Sequence, residues 1–462
     1  MAAGEWLLLA RQELFLFTGC FFLIGAIDEM LIDVAYLVLH LTGRIKRERV
    51  DEACLRSRPL RGRCCVFIPA WQEERVIATT LSHISKVWPQ ADLLIFVGCY
   101  NNDPRTIDAV RKASFEDPRI RMAIHASHGP TCKADCLNRI FREMEAEENA
   151  SGRPVRMVIL HDAEDLVDPA AINLLDQAIG EAAFVQLPVL AMPHPRSPWI
   201  SGHYSDEFAE SHAKTMVVRA ALARSLPGAG VGCAIAREHL ERLSVASGGR
   251  GPFATGALTE DYEPGIGVAA WGGKSSFLRI RTTEGRLIAT RAYFPTNINA
   301  AVRQKARWIH GIALQGWDRL GWNWSPVELW MRSRDRRGPL AAFLLFLAYF
   351  LVVLFGIELM LRWLDLVSLP PLSSTLDILL FANLLALAWR ALSRSLFTWR
   401  EHGRRQALLA IPRIVVSNAI AIVAARRAVF AYIHSLMGGV ASWDKTEHFD
   451  HPIPAIEAEG SK

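Results

Sequence analysis

Between Leu340 and Ile357 the chain carries no charged residue, and a helix needs about 20 apolar residues to cross a bilayer. That run, continued to Leu364, places the chain among membrane proteins. A second run, Leu14–Leu41, is also long enough, although Asp28, Glu29 and Asp33 interrupt it. Glu29 and Asp33 fall at i,i+4 on one helical face, so they can point into a helix interface rather than lipid. The alternative is a short membrane-dipping segment followed by an interfacial helix. A third run, Leu376–Leu392, predicts a span returning to Arg394, Arg400 and Arg404. Between Ile411 and Ile433 the apolar stretch from Arg413 to Arg426 is short, which suits a helix lying in the interface. A cleaved signal peptide is not expected, because the start lacks a basic region.

The charge balance, 52 Lys+Arg against 47 Asp+Glu, is too even to suggest nucleic acid as a partner. The bases gather at Gly43–Arg49, Arg332–Gly338 and Arg390–Arg405, each beside an apolar run. Such clusters mark cytoplasmic flanks of spans. Three spans and one interfacial helix then put the N-terminus outside, and the central region and C-terminal tail in the cytoplasm. The eight cysteines include no CxxC pair, and Cys132-x3-Cys136 has no second ligand pair for zinc. Reduced, packed thiols are expected.

The central region alternates strand-like and helix-like segments. Strands are predicted at 64–70, 92–100, 120–126, 155–162 and 182–191, and helices at 73–86, 104–113, 132–147 and 169–179. This alternation predicts a mainly parallel sheet covered by helices, with ligands at the carboxyl ends of the strands. There the sequence places His161-Asp162-Ala163-Glu164-Asp165. Carboxylates crowded at a strand end suit a hard cation such as Mg²⁺ or Mn²⁺, which takes oxygen ligands from one or two carboxylates plus substrate phosphates. A solvated acidic turn, with Asp165 or Asp168 capping the next helix, explains the same residues.

Two more motifs bear on the choice. In Thr259-Glu260-Asp261 a carboxylate near a bound sugar could accept the proton of an acceptor hydroxyl; a helix start capped by Thr259 is the plainer reading. In Arg303–Gly311, Gln304, Arg307 and Trp308 share one helical face. Arg offers a planar fork to a diphosphate and Trp a flat face to a sugar or base, although Trp and Arg also favour a membrane surface.

Taken in order, Pro69–Glu74, "HDAED", "TED" and "QKARW" followed by spans resemble the processive, membrane-embedded family 2 glycosyltransferases, relatives of cellulose and hyaluronan synthases. "VGCYNNDPRT" (97–106), "GPTCKADCLN" (129–138), "LTEDYE" (258–263) and "WDKTEH" (443–448) are closer still to NfrB-like proteins, inner-membrane partners of a phage-receptor outer-membrane protein. The resemblance implies an α/β fold of the GT-A type, a Rossmann-like mixed sheet for nucleotide-diphospho-sugars, flanked by transmembrane helices. It implies a membrane segment at 1–45, the glycosyltransferase domain at 60–330, transmembrane and interfacial helices at 339–435, and a cytoplasmic tail at 436–462 whose "WDKTEH" is similar to a gating loop.

Carried over by position, the resemblance assigns Pro69, Glu73, Tyr100, Asp103, Lys133 and Asp162 to the nucleotide-sugar. Asp162 and Glu164 would hold the metal, and Asp261, with Glu260 beside it, would be catalytic. Gln304, Arg307 and Trp308 would bind diphosphate and acceptor. Two departures stand out. The metal pair is Asp-x-Glu, which leaves Asp165 as a rival ligand, and "GCYNND" replaces the usual Asp-Asp-Gly, so either Tyr100 or Asp103 serves there. The implied activity is inverting transfer of a hexosyl or N-acetylhexosaminyl group, metal-dependent, from a nucleotide-sugar donor, by the resemblance a UDP-sugar, to a growing envelope or secreted polysaccharide at the bacterial inner membrane. An outer-membrane export or receptor protein would be a partner. A single transfer to a polyprenyl-phosphate lipid, or a non-catalytic scaffold, are the rival functions. Such proteins usually carry a further C-terminal region that can include a cyclic-di-GMP-binding module, and the resemblance leaves regulation by that nucleotide open.

Overall fold

A computed structural model describes residues 3–46, 48–366, 372–438 and 450–453. The "WDKTEH" segment lies outside the described residues. Nine strands position the site: β1 (Arg63–Pro69), β2 (Leu93–Tyr100), β3 (Ile120–His125), β4 (Val155–Leu160), β5 (Phe184–Gln186), β6 (Val189–Met192), β7 (Cys233–Ala236), β8 (Ser275–Phe277) and β9 (Thr290–Tyr293). Seven form one sheet in the order β3-β2-β1-β4-β7-β5-β8. β1 to β4 run parallel, β7 is antiparallel to both β4 and β5, and β8 is parallel to β5. The sheet is therefore mixed.

Strands β1, β2 and β4 are near-continuous apolar runs because both faces of the sheet are covered. Val66, Ile68, Ile95, Val97 and Ile159 pack on one side with Ile77, Leu81 and Ile84 of α2 (Ile77–Val87). Cys65, Phe67, Phe96 and Val158 pack on the other with Leu137, Ile140 and Phe141 of α4 (Lys133–Ser151). The alternation follows the two-residue period of a strand. Between these helices in the chain, α3 (Pro104–Glu116) starts at the Asp103 cap, whose carboxylate accepts from Thr106 N.

Five predicted boundaries are corrected. The strand expected at 182–191 divides at Leu187-Pro188: proline has no N–H for a ladder, and the chain passes into a second sheet where β6 pairs with β9. The fourth strand stops at Leu160, so Asp162 lies in the loop beyond it. The helix expected from Glu73 begins at Ile77, because Gln72 has a positive φ of 55° and the Glu73 N–H donates to Thr106 Oγ1 at 3.0 Å, which makes 72–76 a turn. The helix expected at 132–147 runs on to Ser151, where Gly152 takes the left-handed conformation that ends it. The next helix, α5, covers only Ala171–Ala178.

Among the described residues three helices are long and apolar enough to cross a membrane: the first is α1 (Ala3–Leu41). The later part of the domain includes α6 (Ile200–Glu210), α7 (Tyr262–Gly267), α8 (Ile298–Trp308) and α9 (Pro326–Arg336), and the other two long helices, α10 (Gly338–Trp363) and α11 (Ser374–Leu436), follow. Gly403, at φ 81°, breaks α11 in two. The part before it carries the Leu376–Leu392 run, and the part after it packs along α6 and α8. The acids of α1 face protein. Asp28 accepts from Trp330 Nε1 at 2.6 Å and pairs with Arg334 and Arg337, Glu29 pairs with the same arginines, and Asp33 lies 2.6 Å from Lys214 Nζ. Partnering of this kind is what lets carboxylates sit within an apolar helix.

Close packing on the α4 face yields a test. A Cβ on Gly98 would lie 2.5 Å from Cys136 Sγ and 2.9 Å from Ile140, whereas one on Gly25 of α1 would meet nothing within 4 Å. Gly98→Ala should destabilise the chain by about 1–3 kcal/mol through overpacking. Gly25→Ala should leave the thermal midpoint of the detergent-solubilised protein nearly unchanged.

Candidate active site

The loop after β4 is built around Asp165. Its Oδ2 accepts from His161 Nδ1 and from the Asp162 N–H, each at 2.9 Å, and the residue is 1% exposed. Burial raises the Asp165 carboxyl above its usual range, and the His161 hydrogen bond pulls against that rise. That oxygen is committed to shaping the loop. Asp168 likewise serves the fold: Oδ1 accepts from Ala170 N at 3.1 Å, and Oδ2 pairs with Arg286 and Arg291. Asp162 and Glu164, less buried, line a cavity of about 370 Å³, which Asp165 also borders.

Lys133 opens α4 and extends into the same cavity, with Nζ 2.7 Å from Asp162 Oδ1 and 3.7 Å from Glu260 Oε1. Burial alone would lower the Lys133 pKa, but the charges of Asp162, Glu260 and Asp261 outweigh it and hold the amine protonated. Five residues on, Asn138 Nδ2 donates to Phe253 O at 2.7 Å and Oδ1 accepts from Phe253 N at 3.0 Å. Cys132 Sγ lies 3.3 Å from Thr255 O. The "CKADCLN" segment therefore contributes a cation to the cavity and clamps the loop that carries "TED".

Glu260 and Asp261 follow that loop. Thr259 does not cap a helix: Asp261 is the residue before α7 and makes no side-chain capping bond, and Thr259 instead packs against Gly311. Burial and the adjacent Asp261 charge push the Glu260 carboxyl up to about 7, against the pull of Lys133 and Arg307. Burial raises Asp261 as well, with Lys133 opposing it. Behind Asp261 is a glycine floor. A Cβ on Gly230 would lie 2.1 Å from Asp261 Oδ2 and one on Gly228 2.2 Å from Asp261 O, and Gly230 has a φ of +82°. Only glycine fits there at no steric cost.

The third wall is α8. Gln304, Arg307 and Trp308 all line the cavity, as one helical face requires. Trp308 stands edge-on to Tyr204, Phe208 and Phe294, with ring centroids 6.0, 6.3 and 6.4 Å away. The helix is fixed from behind by Lys305, which pairs with Glu207, itself bonded to Ser417 of α11 at 2.7 Å. Burial alone would raise Glu207, but Lys305, His203 and Arg394 hold it far below the usual carboxylate range.

The cavity thus brings together Lys133, Asp162, Glu164, Glu260, Asp261, Gln304, Arg307 and Trp308. Pro69, Glu73, Tyr100 and Asp103 lie outside its wall, at the carboxyl ends of β1 and β2. Tyr100 is fully buried with its hydroxyl 2.9 Å from Thr131 Oγ1, and Asp103 accepts from Gln72 N at 2.5 Å. Sequence reasoning missed Tyr293, Phe294, Gln315 and Ser435 in the wall. Gln315 Oε1 accepts from Leu258 N at 3.1 Å, bracing "TED". Gly228, Gly230 and Gly232, alternating before β7, were the one available sign of the floor.

The family model described as "Glycosyltransferase like family 2" matches residues 62–311. The bacteriophage adsorption protein B of Escherichia coli strain K12 and the bacteriophage N4 adsorption protein B of Escherichia coli O157:H7 are each 31% identical over 455 residues, covering 92% of this chain. The chain spans 60% of the length of these relatives. A mannosyltransferase from Pyrobaculum calidifontis, solved in complex with GDP-Man and Mn2+, superposes with a TM-score of 0.53 at 15% identity, over 91% of this chain and 99% of that one. At that identity the likeness shows the GT-A fold alone. The family match covers more than half of the chain, from β1 through the cavity to the end of the "QKARW" helix, and the chain belongs to the family 2 glycosyltransferases.

Proposed function

We propose that this chain is a membrane-bound inverting glycosyltransferase that moves a sugar from a nucleotide-sugar, a UDP-sugar by the family resemblance, to a growing envelope or secreted polysaccharide. The observation that supports this most is the convergence of Asp162 and Glu164, Asp261, and Arg307 with Trp308 on one cavity from three separate parts of the chain. In this reading the domain at 60–330 faces the cytoplasm, with the helices at 339–435 in and on the inner membrane. By the family resemblance, an outer-membrane export or receptor protein would be its partner.

The residues present fit a divalent cation. Their donors are carboxylate oxygens, the hard ligands that Mg²⁺ and Mn²⁺ select. Among the described residues no three His, Cys, Asp or Glu side chains cluster to hold an ion unaided, which agrees with a site completed by substrate phosphates. Asp162 and Glu164 would hold the ion, with Asp165 shaping the loop. Bound there, the ion would add positive charge at the leaving diphosphate.

The chain's own groups perform the rest. Arg307 would neutralise charge growing on the diphosphate oxygens, stabilising the transition state more than the ground state. Trp308, steadied by its aromatic neighbours, would offer a face to the acceptor sugar, with Gln304 hydrogen-bonding beside it. Asp261 would take the acceptor hydroxyl's proton, so that one displacement inverts the anomeric centre. Lys133 would keep Asp261 and Glu260 from both being protonated near neutral pH. Pro69, Glu73, Tyr100 and Asp103 would form the base and ribose side at the ends of β1 and β2.

The roles separate in a binding and turnover experiment. Asp261→Asn should reduce transfer by about 10²–10⁴-fold while donor affinity, measured by equilibrium dialysis, stays near the parent value. Asp162→Ala should weaken Mn²⁺-dependent donor binding itself. Near-normal turnover in Asp261→Asn would remove it as the base.

A pH profile checks the electrostatics. A base must be ionised to act, and Asp261 and Glu260 both titrate high. Turnover at saturating donor should therefore climb as pH rises through the neutral range. Lys133→Met removes the cation that favours ionisation, so its rising limb should move to higher pH. A limb that stays in place in Lys133→Met would show that another group controls it.

A further inference from the structure

Beyond α11, the described residues resume at Asp450–Ile453, and this short piece lies against the back of the Asp162–Glu164 loop. His451 is 9% exposed, and its Nε2 is 3.2 Å from Thr80 Oγ1. Thr80, fully buried on α2, is 2.5 Å from the carbonyl oxygen of Ala163. Ala163 is the residue between the two carboxylates. One turn along α2, His83 Nε2 is 3.0 Å from Val167 O. The acidic loop is therefore held from behind at two points by one helical face.

Proton counting orders this chain of contacts. His451 Nδ1 accepts from the Ile453 N–H at 3.2 Å, so in the neutral ring the proton is on Nε2. Nε2 then donates to Thr80 Oγ1, sharing its proton with the backbone carbonyl of Asp165 in the same loop, and the single hydroxyl proton of Thr80 is free for the Ala163 carbonyl, whose 2.5 Å is much shorter than the 3.3 Å to Val76 O. Burial, with His83 adding to it, lowers the His451 pKa to about 4, consistent with a neutral ring. Asp450 fixes the segment from its other side, 2.6 Å from Arg196 and 3.2 Å from His194 Nε2. The two anchors lie on different parts of the domain, one on α2 and one just past β6.

We propose that His451 is a positioning residue for the carboxylate loop: through Thr80 it fixes the Ala163 carbonyl, and with it the directions of Asp162 and Glu164. The C-terminal segment thereby tunes how tightly the site holds a divalent cation and a nucleoside diphosphate. This second statement rests on the roles given to Asp162 and Glu164 above, and the first does not.

The full chain in detergent or nanodiscs tests both. Backbone hydrogen–deuterium exchange over 160–168 reads the loop directly, and calorimetric titration of Mn²⁺ with UDP reads the site. His451→Ala should speed exchange of the loop amides on the order of fivefold, the effect of one net hydrogen bond, and weaken Mn²⁺-dependent UDP binding by a similar factor. His451→Gln, whose amide can donate in place of Nε2, should recover most of both. An equal thermal midpoint for the two variants would separate positioning from general loss of fold. Unchanged loop exchange in His451→Ala, or equal impairment in His451→Gln, would overturn the proposal. Faster exchange in His451→Ala, with a parent protein that binds no UDP with Mn²⁺, would leave the positioning role standing and sink the reading of the site.

Discussion

The arrangement depends on one ammonium group among carboxylates. Asp162, Glu260 and Asp261 approach each other from the loops after β4 and before α7, and unaided they would repel and take up protons. Lys133 Nζ, at 2.7 Å from Asp162 and 3.7 Å from Glu260, is the charge that permits them to share a cavity. Breaking a buried pair of this kind typically costs about 3–5 kcal/mol, because the remaining charges are left uncompensated. The neighbouring sequence serves this placement. Asn138 ties α4 to Phe253, Cys136 and Ile140 leave room only for glycine at position 98, and the helix start aims Lys133 at the strand ends. A scaffold with no catalytic task has no evident use for three carboxylates brought together at such cost.

The same principle operates where the apolar helices meet the domain, because a buried charge needs a partner there as well. Arg413 is fully buried, donating to Gly202 O at 2.9 Å and lying 2.8 Å from Asp206 Oδ1. A Cβ on Gly202 would come 2.9 Å from the guanidinium carbon. Arg394 reaches Glu210 at 3.1 Å, and Glu210 also pairs with Lys214, which reaches Asp33 of α1. This line of pairs runs from α1 through α6 to α11, and Lys305 joins it to the "QKARW" helix through Glu207. Polar pairs have directional requirements that apolar packing lacks, so they fix register between the apolar helices and the domain.

Much of this was legible in the sequence. The parallel half of the sheet and the three apolar helices were read from periodicity, and the three motifs that meet at the cavity from their residue types and the family resemblance. What was not legible depended on tertiary pairing. Nothing local showed that Pro188 would send one apolar run into two sheets. Nor did "HDAED" show which acid would turn inward: Asp165 does because His161 and the Asp162 amide receive it. Glu73 looked like a helix start until Thr106, on α3, captured its amide. Tyr293 and Phe294 of the wall carry no motif, since an aromatic residue at a strand end is ordinary core in most chains. Ser435 was out of reach because only the break at Gly403 returns the end of α11 to the site.

That return also constrains what can reach the cavity. On the proposed reading an acceptor hydroxyl must meet Asp261 while its chain leaves past Trp308. The wall on that side includes Ser435, near the end of α11, and Tyr432 one turn earlier donates to Asp318 at 2.6 Å, next to Trp317 and Arg319. Trp324 is 82% exposed on the connection that leads through α9 into α10. Exposed tryptophan and arginine beside spanning helices are the composition of a membrane surface. On that same reading the cavity would open beside the bilayer rather than away from it, and an acceptor growing at the membrane would reach Asp261 without crossing open solvent.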